Sequence, residues 1–111
     1  MNPRSTAGQS EERWAQMMRG AIAGDAALYR RLLEEIGVAV RAMARRGLAR
    51  TGIGNADVED IVQETLLAIH LKRQTWDSEA RLAPWVYTIA RHKIIDAMRR
   101  RGARRGGASR R

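Results

Sequence analysis

A chain of 111 residues with 44% apolar side chains and a formal net charge of +9 is one domain at most, and its regular hydrophobic spacing argues against disorder. The absence of cysteine excludes a disulfide framework, a thiolate metal site and a catalytic thiol. The first residues lack the apolar core of a signal peptide and no apolar run approaches the roughly 20 residues of a membrane span, so a cytoplasmic location is expected.

The first predicted helix runs from about Ser10 to Ala23, leaving residues 1–9 as a flexible N-terminus. Ser10 is its expected N-cap, acids fill the first turn, and Trp14, Met17, Met18, Ala21 and Ile22 share one stripe. Gly24 and Asp25 supply a stop and a new cap. The second helix, Ala26 to about Arg46, holds Leu28, Tyr29, Leu32, Leu33, Ile36, Val40 and Met43 in register. Gly37 inside it costs about 1 kcal/mol relative to alanine. Gly47 is the expected end, and Arg50 to Asn55 form a loop by composition.

The third helix, capped by Asn55 or Asp57, runs to about Lys72 and reads D-V-E-D-I-V-Q-E-T-L-L-A-I-H-L over residues 57–71. At 100° per residue, Val58, Ile61, Val62, Thr65, Leu66 and Ile69 fall on one face. The opposite face carries Asp60, Gln63 and Glu64 with Leu67 among them and Leu71 beside Asp60. Leucines placed among carboxylates point to a second contact surface rather than a merely solvated face.

Residues 73–81 make an irregular connection. Pro84 fits the first turn of a fourth helix, where its missing N–H is no loss. That helix runs to about Arg101 with Leu82, Trp85, Val86, Ile89 and Ala90 inward. Thr88, Arg91, Ile95 and Arg99 share its outer face, with Tyr87 and Met98 beside it. His92 and Asp96, four residues apart at the core edge, read as a structural pair. Residues 102–111 are rich in Gly and Arg and read as a linker or tail. The expected architecture is all-α, a bundle of about four helices over residues 10–101.

The charge is concentrated at the end. Residues 91–111 contain nine Arg or Lys and one acid, Asp96. A cationic end on a nearly neutral body suits a polyanion such as nucleic acid, and a solubilising tail is the plain alternative. Enzymatic patterns are missing: neither HExxH nor a glycine-rich phosphate loop is present. Asp60 and Glu64 could form a carboxylate pair, but the matching helices of a di-metal bundle are lacking. No catalysis, cofactor, metal or small-molecule substrate is expected.

Three stretches resemble one family: residues 57–70, then W-D at 76–77, then W-V-Y-T-I-A-R-H-K-I-I-D-A-M-R-R at 85–100. They are similar to the region-2 domain of bacterial RNA polymerase sigma factors, most closely the extracytoplasmic-function group. The resemblance covers roughly residues 14–101. It implies a factor that docks on the β′ clamp helices of RNA polymerase, with Asp60, Gln63 and Glu64, around Leu67, as the matching contacts. It further implies recognition and opening of the promoter −10 element on the non-template strand. The loop from Gln74 to Arg81 would serve this, with Trp76, Asp77, Ser78, Glu79 and Arg81 as candidates. On the fourth helix the candidates are Tyr87, Thr88, Arg91, Ile95, Arg99 and Arg100.

Departures from the family pattern shape these expectations. His92 stands where an asparagine is common, and Trp76 where a phenylalanine is usual. Without a clear pair of exposed aromatics, weak melting that depends on a near-consensus promoter is expected. The family continues into a second, −35-reading domain, so a truncated form is expected. An anti-sigma factor is a further implied partner. The competing reading is a stand-alone helical repressor or nucleoid-type DNA binder, in which the Asp60–Leu67 face would be a dimer seam.

Overall fold

Four helices are present in the computed structural model, which describes the backbone of residues 3–49 and 51–109 and the side chains of residues 12–49 and 51–101. They are α1 (Pro3–Ile22), α2 (Ala26–Leu48), α3 (Asn55–Lys72) and α4 (Leu82–Ser109), with a single 3₁₀ turn at Arg73–Thr75. No strand occurs among the described residues. No described helix is long and apolar enough to cross a membrane.

The stripes read from the sequence become the core. Met17 and Met18 of α1, Leu32, Ile36 and Val40 of α2, Val62 and Ile69 of α3, and Leu82, Val86 and Ala90 of α4 form one buried cluster. A second cluster at the far end joins Ala44 and Leu48 to Val58, Ile61, Ile94 and Ala97. Thr65 is fully buried on α3, and its hydroxyl donates to the Ile61 carbonyl at 2.7 Å, so no polar group is left unpaired there.

The turn between α1 and α2 follows from two residues. Gly24 has φ of 117°, a conformation open to glycine and strained for other residues. Asp25 then caps α2, its Oδ1 accepting the Leu28 N–H at 3.0 Å.

Helix ends are where the structure departs from expectation. α1 begins at Pro3, so Ser10 lies inside the helix and is not its cap. α2 passes Gly47 to reach Leu48, whose burial in the second cluster favours one more helical residue. Gly54, not Asn55 or Asp57, is the N-cap of α3; it has no side chain to offer, and its carbonyl accepts the Val58 N–H at 3.1 Å. α4 continues beyond Arg101 to Ser109, where extending an established helix needs no new nucleation.

Gly37 is buried where α2 crosses α3. A methyl group added there would stand 3.7 Å from Leu66 Cδ1 and 3.9 Å from Val62 Cγ1, ordinary contact distances. Gly37→Ala is therefore expected to stabilise the fold by about 0.5–1 kcal/mol through helix propensity. A thermal melt should show a midpoint higher by a few degrees; a lower midpoint would mean that the crossing has no room to spare.

Candidate functional site

α3 divides cleanly. On the side away from the core, Asp60 and Gln63 are exposed, Glu64 is partly exposed, and Leu67 and Leu71 keep 57% and 70% of their surface in solvent. Apolar side chains this open, rimmed by acids and an amide, have the make-up of a contact surface. The face is not purely acidic, because α4 leans two arginines onto it. Arg100 Nη2 lies 3.2 Å from Glu64 Oε2, and Arg101 Nη1 lies 3.8 Å from Asp57 Oδ2. These groups, with Ile53, Asp60, Gln63 and Ala97, line a shallow hollow of about 440 Å³.

Arg100, expected with the nucleic-acid residues, is paired with Glu64 on the α3 side. Both partners are substantially exposed, so the pair is exchangeable and contributes little to stability.

The outer face of α4 presents Thr88, Arg91, Ile95 and Arg99 to solvent, as the helical spacing predicts. The Thr88 hydroxyl donates to the Pro84 carbonyl at 2.9 Å, bonding back within the helix. A second hollow of about 510 Å³ beside this face is lined by Lys72, Ile89, His92, Lys93, Ile95, Asp96 and Arg99. His92 and Asp96 are both exposed in it, and no hydrogen bond joins them among the described residues. The expected structural pair is thus not formed. The hollow is rich in cations, as a phosphate-contacting surface requires.

Tyr87 is half-buried rather than outward, its ring 6.3 Å from that of Trp14 at 46°. Trp14 in turn donates its indole N–H to Glu35 Oε1 at 3.2 Å. Glu35 also takes both guanidinium arms of Arg13, one of them at 2.6 Å. The hydrogen bonds from Arg13 hold the Glu35 carboxyl below the usual carboxylate range. α1 therefore fixes one wall of the α4 face, a contribution that the sequence did not announce.

Between α3 and α4, the 74–81 connection is tightly built. Trp76 is 6% exposed, and its indole N–H reaches the Arg81 carbonyl at 3.4 Å. Expected among the nucleic-acid contacts, it is packed beneath the loop, with little of its surface in solvent. Asp77 Oδ1 accepts the Glu79 N–H at 2.9 Å, and the Asp77 carbonyl accepts the Ala80 N–H at 2.9 Å, making a closed turn. Asp77, Ser78, Glu79 and Arg81 are exposed on it. Arg19 of α1 donates from Nε to the Ser78 carbonyl at 2.9 Å.

The family model for sigma-70 region 2 matches residues 29–104, more than half of the chain and all of α3 and the loop. The chain belongs to the sigma-70 region 2 family. It is 50% identical over 90 residues to the ECF RNA polymerase sigma factor SigF of Caulobacter vibrioides, covering 81% of this chain and 48% of that one. It is 42% identical over 81 residues to the ECF RNA polymerase sigma factor SigL of Mycobacterium tuberculosis, 72% of this chain and 44% of the relative. It is 32% identical over 88 residues to the RNA polymerase sigma factor NccH of Alcaligenes xylosoxydans xylosoxydans, 79% and 45% of the two chains. No solved structure matches the chain. This sigma region 2 chain spans about half the length of the curated relatives it matches. Arg13, Trp14 and Arg19 lie ahead of the matched residues, so α1 braces the region-2 helices from outside the family match.

Proposed function

We propose that this sigma region 2 domain is a transcription initiation factor domain that docks on the β′ clamp helices of RNA polymerase and recognises and opens the promoter −10 element. Docking runs through Asp60, Gln63, Glu64 and Leu67 on α3. Recognition of the non-template strand runs through Asp77, Ser78, Glu79 and Arg81 in the loop, with Thr88, Arg91, Ile95 and Arg99 of α4 along the phosphates and Tyr87 at the edge. The domain works by binding and positioning, without chemistry of its own. An anti-sigma factor, as a further partner, would act by covering one of these faces.

The observation that carries this reading is the double-sided α3. One face fills the core with Val58, Ile61, Val62, Thr65 and Ile69, and the other exposes Leu67 and Leu71 among polar groups. A monomeric DNA binder has no need of that second face, whereas a factor held by a larger protein does, and a dimeric DNA binder would use it as a seam between two copies. The cationic face of α4 supports a nucleic-acid contact on a different element, so both partners can be engaged together.

Immobilised chain should capture core RNA polymerase from a mixture of purified polymerase subunit assemblies, and added single-stranded −10 DNA should bind the captured complex. Binding to duplex DNA without any capture of polymerase would favour a stand-alone DNA binder instead.

A further inference from the structure

We propose that Arg19 is a positioning residue for base recognition, holding the 74–81 loop from α1 by donating its Nε–H to the Ser78 carbonyl. The inference rests on the reading of that loop as the base-receiving element.

The bonds inside the loop are local. Trp76 seats its start in the core, its indole N–H closes on the Arg81 carbonyl, and the Asp77 turn shapes the tip. Such bonds set the shape of the loop; they do not by themselves set how the tip stands against the bundle. Arg19 supplies a tie from another helix to the tip itself, across 59 residues of sequence. Its own footing is fixed, because the neighbouring Met18 is fully buried in the core. Because Arg19 meets a main-chain carbonyl, the tie is independent of the side chain at position 78. The loop side chains are then free to select a base while its placement stays constant.

An exposed hydrogen bond to a charged donor shifts the equilibrium between held and released loop by a factor of about 2–10. The apparent affinity for the preferred base scales with the held fraction, whereas phosphate contacts made elsewhere do not. Arg19→Ala should therefore reduce the ratio between best and worst base at one position, by up to about 10-fold. Affinities at the remaining positions should hardly change. The same variant should speed amide exchange at Glu79 and Ala80, whose N–H groups close the turn.

The test uses labelled single-stranded −10 oligonucleotides carrying each of the four bases at each position in turn, titrated against the full chain and Arg19→Ala. Capture of core polymerase and the melting midpoint are measured alongside, since Arg19 is exposed and lies away from the α3 face. A narrowed base ratio with unchanged polymerase capture supports the proposal. An equal loss of affinity for every sequence overturns it, because Arg19 would then be a phosphate contact only. An unchanged ratio with unchanged amide exchange overturns it as well. If the parent chain shows no base preference at any position, the reading of the loop fails, and the proposal falls with it.

Discussion

Replacing Asp60 and Gln63 together by alanine is expected to weaken binding to core RNA polymerase by about 2–4 kcal/mol, roughly 30- to 700-fold, the usual cost of losing hot-spot groups from an interface. Helical content and melting temperature should remain those of the parent. Both side chains are exposed and stand across the helix from Ile61, Val62 and Thr65, which are almost completely buried. Truncating them removes nothing from the core. Glu64 makes a less clean probe, because its loss also releases Arg100. A titration of polymerase with the double variant, read beside circular dichroism, decides the matter. Parental affinity would remove the α3 face from the docking surface.

The loop carries the second large effect. The chain is expected to bind a single-stranded −10 oligonucleotide more tightly than the same sequence as duplex, and one base substitution should cost about 1–3 kcal/mol, roughly 5- to 140-fold. Asp77 Oδ1 is occupied by the Glu79 N–H, so its second oxygen, the Ser78 hydroxyl and the Glu79 carboxylate face solvent as acceptors, with Ser78 also a donor. A base already lifted from its stack can reach these groups, whereas a paired base would first have to be extruded at a cost of a few kcal/mol. Trp76 is buried beneath the loop, so the expected selectivity would be preorganised rather than induced. Exchanging the loop for that of a relative should change the preferred base. Fluorescence anisotropy across the single-base series is the measurement. Equal affinity for every base at every position would leave only electrostatic attraction to the backbone.

Much of the fold was legible because amphipathic stripes are a local property. Val58, Ile61, Val62, Thr65 and Ile69 could be assigned to the core from their spacing, and the same spacing exposed Leu67 as an oddity. The Asp25 cap was legible for the same reason: a side chain reaching its own next turn. Helix ends were less so. Gly54 caps α3 through backbone geometry alone, and Leu48 draws α2 past Gly47 by being buried against another helix.

The candidate site was legible as residue types and much less as partnerships. Spacing placed His92 and Asp96 as neighbours, but both side chains go to solvent and do not meet. Arg100 was one of several cations near the end of α4 until folding brought it to Glu64, 36 residues away. Spacing alone did not say whether Trp76 faces the loop or the core; in the fold it is buried beneath the loop. The bond from Arg19 to Ser78 joins a helix to a main-chain carbonyl, and no sequence pattern encodes a contact of that kind.

On the proposed reading, one face of this sigma region 2 domain meets polymerase while another meets DNA. A photo-crosslinking amino acid placed at Leu67 in one preparation and at Arg91 in another tests it most directly, in a mixture of core polymerase and single-stranded −10 DNA. The account predicts an adduct with the β′ subunit from position 67 and an adduct with the DNA strand from position 91. An adduct between two copies of the chain from position 67, with no β′ product, would contradict it and make the α3 face a dimer seam.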